Sequence, residues 1–119
     1  MGEKTLLLDN IGLEGLTVLG ITQEEIEACV VEITSNGRTF KALREKLQLT
    51  KDEIWQAMAE NQKVSADQKT VSLTMVIVNI WKKRGERQIS LEKYIETRLV
   101  IEPLLNVLRK QGLIQVNGS

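Results

Sequence analysis

The stretch from Ser65 to Gly85 constrains the fold most. Ser65 and Gln68 stand at the N-cap and N3 spacing of a capping box. Val71, Leu73, Met75, Val76, Ile77, Val78, Ile80 and Trp81 follow, and Lys82-Lys83-Arg84-Gly85 closes the run. Cations and then a glycine suit the negative end of a helix. A helix apolar nearly all round is buried on most sides, so this one predicts a bundle built around it, spanning about 66–84. The β-branched run Val71–Val78 would also read as a strand. Its length between breakers, about twice that of a usual strand, favours helix.

Caps and breakers divide the rest. Thr22 and Glu25 form a capping box, followed by Ile26, Cys29, Val30 and Ile33 at helical spacing up to Asn36-Gly37. Thr39 caps a second helix with Phe40, Leu43 and Leu47 on one face. Thr50 and Glu53 open a third, reaching Asn61. Ser90 caps a fifth with Leu91, Tyr94, Ile95 and Leu99, and Pro103 fits the first turn of a sixth that ends at Gly112. The expected fold is an all-α, six-helix antiparallel bundle over residues 22–119. Residues 1–21, broken by Gly12, Gly15 and Gly20, read as an N-terminal arm or short extra helix.

A chain of 119 residues is one domain by length and can build one core without staples. Its four aromatics, Phe40, Trp55, Trp81 and Tyr94, leave the core to aliphatic side chains and offer little for stacking on single-stranded nucleic acid. Cys29 is the only cysteine, so no disulfide forms within the chain. A reducing, cytoplasmic setting is expected. The Thr5–Ile21 segment is too short and too polar to cross a membrane.

Enzyme chemistry has few candidates. Without histidine, the usual general base and commonest metal ligand are both missing. One cysteine makes no thiolate zinc site, and the glycines lack the Lys-Ser/Thr ending of a phosphate loop. The carboxylates Glu24, Glu25, Glu27, Asp52, Glu53, Glu92 and Glu96 lie in first helical turns or on polar faces, where dipole and capping account for them. No enzymatic activity, metal or cofactor is expected.

Charge is the remaining signal. Residues 1–60 hold six basic and eleven acidic side chains, a net of −5, and residues 61–119 hold ten and five, a net of +5. The basic cluster Lys82, Lys83, Arg84, Arg87, Lys93 and Arg98 reads either as dipole compensation or as a recognition patch. Glu24, Glu25, Glu27, Glu32, Asp52 and Glu53 form the complementary acidic side. Phe40–Met58 and Ser90–Val116 also have the outline of helix-turn-helix units. In the first, Asp52 and Glu53 at the reading end oppose phosphate. In the second, the chain stops at Ser119 without a returning wing strand.

From about Thr22 to Gly112 the chain resembles the death-fold superfamily, most closely the death domain. Phe40–Leu49 resembles that family's second helix and turn, and Thr50–Asn61 its third helix. Val78-Asn79-Ile80-Trp81-Lys82-Lys83-Arg84-Gly85-Glu86 resembles its Trp-ended fourth helix, and Ile89–Leu99 and Ile101–Gly112 its last two. Phe40 stands where the family usually has Trp, and Gln48 where it has Gly. The resemblance implies a Greek-key bundle without catalysis, an adaptor that joins signalling proteins by like-with-like contacts. The expected partner is a copy of the same or a homologous domain, associating head to tail. The alternative is a winged-helix or helix-turn-helix DNA-binding domain of a transcriptional regulator.

Overall fold

The computed structural model describes residues 4–12, 15–64 and 69–117. These residues form a mostly helical body with two short strand pairs at its edges. Strand β1 (Thr5–Leu7) leads through two 3-10 turns, Leu8–Asn10 and Leu16–Leu19, into α1 (Gln23–Ser35). Then come α2 (Phe40–Leu47), α3 (Lys51–Val64), β2 (Thr70–Ser72), α4 (Leu73–Lys83), β3 (Gln88–Ser90), α5 (Leu91–Lys110) and β4 (Gln115–Asn117).

The helix starts follow their caps. Thr22 accepts from the Glu25 amide at 3.2 Å while Glu25 accepts from the Thr22 amide at 3.4 Å. Thr50 and Glu53 make the same reciprocal pair. Thr39 caps α2 and Ser90 caps α5. At the far end, Gly112 turns left-handed and the Leu113 amide donates to Leu108, closing α5.

Helix α4 is the centre of the core: Leu73, Val76, Ile77, Val78, Ile80 and Trp81 are all buried. It packs against α3 and α5, while α1 and α2 lie on α5. It begins later than the sequence suggests, at Leu73 instead of about residue 66. Thr70 and Val71 are extended and run parallel to Gln115 and Val116, and Ser72 is the helix N-cap. Both readings of the β-branched run therefore hold in part, with strand up to Ser72 and helix beyond it. The Ser65–Gln68 capping box lies outside the described residues. Asn61, buried on α3, fastens this junction by accepting from the Ser72 amide at 2.9 Å.

The expected fifth and sixth helices are one. Helix α5 runs unbroken from Leu91 to Lys110 with Pro103 inside it, so the described residues contain five α-helices. A helix-interior proline costs about 3 kcal/mol. Here its ring sits on the exposed side, while Val100, Ile101, Leu105 and Leu108 are buried around it. Burial of each stabilises by roughly 1.5–3 kcal/mol, which outweighs the break. This continuity removes the helix-turn-helix outline of Ser90–Val116.

The N-terminal segment belongs to the same core. Leu6, Leu8, Ile11, Leu16 and Ile21 are buried. β1 pairs antiparallel with β3, Leu6 opposite Ile89, and the Leu8 amide donates to the Arg87 carbonyl. No helix among the described residues is long and apolar enough to cross a membrane.

Candidate functional site

The basic cluster singled out in the sequence is largely engaged by acids of the same chain. Lys82 meets Asp9 at 3.0 Å, Lys83 meets Glu60 at 2.8 Å, Lys93 meets Glu86 at 3.6 Å and Arg98 meets Glu102 at 3.3 Å. Arg84 is held most firmly. Its guanidinium grips both oxygens of Glu53 and donates to the carbonyls of Leu47 and Gln48 at 2.8 and 2.7 Å. Arg84 and Lys93 also lie over the Trp81 ring, 5.0 and 4.2 Å from its centre. Arg87 makes no ion pair with a described residue.

On the acidic side, Glu53 is taken by Arg84 and Glu25 by Lys4, a pairing that lowers the Glu25 carboxyl below its ordinary range. Glu24, Glu27, Glu32 and Asp52 have no cationic partner among the described residues. Two of the proposed complementary groups, Arg84 and Glu53, thus bind each other within one molecule.

A second charged cluster joins α5 to the α1–α2 connection. Glu96 is 3 % exposed at its side chain, and Arg38 and Lys46 each approach it to 2.7 Å. Arg38 also holds Glu92 at 2.6 Å. The cluster borders an open cleft of about 600 Å³ over Trp81. Each buried charge in it is answered, as a buried ion pair requires. Among the described residues no group of three or more ligands could hold a metal ion.

The unanswered features gather elsewhere. Phe40, Leu49, Ile54, Val100 and Leu104 line a cavity of about 240 Å³ between α2, α3 and α5. Phe40 at its mouth is 48 % exposed, and Val107, one helical turn beyond Leu104, is 52 % exposed. Arg44 and Lys51 stand at its rim, and neither they nor the neighbouring Lys41 make an ion pair with a described residue. Exposed apolar side chains beside uncommitted cations form a groove suited to an apolar segment carrying acids. Sequence reading passed over it because its walls come from residues 40–54 and 100–104, which periodicity alone does not bring together.

The helix-turn-helix outline of Phe40–Met58 has a clear geometric basis. Leu43, Leu47, Leu49, Ile54 and Ala57 are all buried, and Gln48 supplies a left-handed turn residue, φ 53°. The outer face of α3 exposes Lys51, Asp52, Trp55, Gln56 and Ala59. Beyond α5 the described residues form no winged-helix hairpin: β4 runs parallel to β2.

No protein-family model matches this chain, and no curated protein or solved structure matches it significantly.

Proposed function

We propose that this chain is a non-enzymatic protein–protein interaction module whose contact face is the groove between α2, α3 and α5. The observation that carries this reading is the conjunction at one site of half-exposed Phe40, an apolar cavity behind it and the cations Arg44 and Lys51, which have no ion-pair partner among the described residues. The Lys82–Arg98 group is the weaker contact face, because most of its charges are already compensated within the molecule and present less free charge to a partner. A death-domain-like adaptor working in the cytoplasm, with a second copy or a homologous domain as partner, is the role this reading extends to. The Trp-ended α4 followed by Lys82-Lys83-Arg84-Gly85 supports it.

The test is Arg44→Glu with Lys51→Glu, followed by sedimentation at low and high salt. Self-association of the wild type that falls with salt, and is lost in the variant with helix content unchanged, is the expected result. Association unaffected by the variant moves the contact face away from the groove.

Recognition of duplex DNA is the second reading. It is favoured by the buried pattern of α2 and α3 around Gln48, and by Arg84, which neutralises one of the two acids at the reading end. Asp52 has no cationic partner there among the described residues, and the chain has no net positive charge to bind phosphates. A labelled duplex decides it: a shift by wild type that is lost on Lys51→Glu supports this reading.

A further inference from the structure

Resting on the groove as the contact face, we propose that its occupant is the outward stripe of α1 from a second copy of the chain, docked head to tail.

The fold uses most of the charges and leaves a few available for contact. Eight acids, Asp9, Glu25, Glu53, Glu60, Glu86, Glu92, Glu96 and Glu102, are committed to cations. Among the described residues the uncommitted acids are Glu24, Glu27, Glu32, Glu45 and Asp52. Three of these five stand on one helix. In α1, Glu24, Glu27, Ala28 and Val31 recur at the three- and four-residue spacing that places side chains on one face. Glu32 flanks them. All five are exposed, and Val31 is 61 % exposed. Glu27 accepts only a long bond from its neighbour Gln23, 3.5 Å. Opposite in sequence but on the same helix, Ile26 and Ile33 are buried, which fixes the acidic stripe outward.

The groove carries the matching set. Its cavity of about 240 Å³ has room for the branched side chain of Val31, and Phe40 and Leu104 would close on Ala28. Arg44 and Lys51 on the rim, with Lys41 beside Phe40, answer Glu24, Glu27 and Glu32. Like charges would meet in the reverse arrangements, groove to groove and stripe to stripe, and each is disfavoured. The contact is therefore heterologous: every copy has one stripe and one groove free. Such a contact closes into a ring or continues as an open filament. Its charged rim orients the encounter and is screened by salt, while the apolar centre supplies the area removed from water.

Complementation between two variants tests this. The groove variant is Arg44→Glu with Lys51→Glu, and the stripe variant is Glu24→Lys with Glu27→Lys. All four positions are exposed, so each variant should keep the wild-type circular dichroism. The neutral pair Arg44→Gln with Lys51→Gln serves if charge reversal unfolds the first. In sedimentation velocity at low salt the wild type should form species larger than a monomer. Each variant alone should run as a monomer, and an equal mixture should associate again. A wild type that stays monomeric at every concentration overturns the inference. A stripe variant that assembles like wild type while the groove variant does not overturns α1 as occupant and leaves the groove as a contact face. Two variants that both assemble like wild type remove the groove as well. A duplex DNA shift abolished in the groove variant, without self-association, overturns the inference in favour of nucleic acid.

Discussion

Arg84, at the end of α4, binds Glu53, in the first turn of α3, through two guanidinium nitrogens, one of them at 2.7 Å. The same guanidinium caps the end of α2 by donating to the Leu47 and Gln48 carbonyls. One side chain therefore ties three helices at the α2–α3 turn, where carbonyls at a helix end need partners. Bidentate geometry of this kind belongs to arginine, since an ammonium offers no planar fork.

Arg84→Ala should cost about 1.5–3 kcal/mol, the range for hydrogen bonds to charged groups. Arg84→Lys should recover only part of it. Chemical denaturation with far-ultraviolet circular dichroism reads the loss. A change within about 0.5 kcal/mol, as for an ordinary exposed charge, would show that the latch contributes nothing.

Trp81→Ala should cost about 3–5 kcal/mol, because the ring is 3 % exposed and its removal opens a large hole. Trp81→Phe should cost less but leave Thr97 without the indole donor that reaches it at 3.1 Å. Thermal melts of the two variants give the order. Equal melting temperatures for wild type and the alanine variant would mean that the ring is not part of the core.

Tyr94 predicts the alkaline limit of stability. Burial raises its phenol above the ordinary tyrosine range, against a smaller opposing effect of its hydrogen bond with Thr74 at 2.9 Å. A raised folded-state value means that the native chain holds the proton longer than the unfolded chain. The stabilisation is complete below the ordinary tyrosine value and falls as pH rises through and beyond it. Tyr94→Phe should flatten that alkaline decline while losing about 1 kcal/mol at neutral pH from the hydrogen bond. Denaturant midpoints across the alkaline range check it, and an unchanged slope in the variant would assign the decline to other groups.

Cys29 should label slowly at neutral pH. Burial first, then the nearby carboxylates of Glu92, Glu32 and Glu96, raise its thiol above the ordinary value, so little thiolate is present. Its half-buried position on α1 slows access further. A thiol reagent should react with native protein far more slowly than with denatured protein. Equal rates would place the thiol in free solvent.

Local signals in the sequence located the starts of α1, α2, α3 and α5 but not that of α4, which begins at Leu73. Thr22, Thr39, Thr50 and Ser90 each cap a helix as their spacing suggests, because a capping bond spans only three residues. What escaped is non-local. Nothing within a short window tells Thr70–Ser72 that Gln115–Asn117 will lie alongside, or Thr5–Leu7 that Gln88–Ser90 will. Pro103 has the same lesson in reverse. Its local preference to start a helix gave way to the buried residues on either side. The basic run Lys82–Arg84 was visible as charge, but its partners, Asp9 near the N-terminus and Glu53 and Glu60 on α3, are distant in sequence. The groove was illegible for that reason too: Phe40 and Leu104 meet only once α2 has packed on α5.

Contact through the α2–α3–α5 groove and the outward stripe of α1 should be visible residue by residue in solution. The most direct measurement is a dilution series of amide nuclear magnetic resonance spectra at low salt. Concentration-dependent shifts should gather at Phe40, Arg44, Lys51 and Leu104, and at Glu24, Glu27 and Val31, while Lys82, Lys83 and Arg84 stay still. Spectra independent of concentration, or shifts confined to Lys82–Arg87, would contradict it.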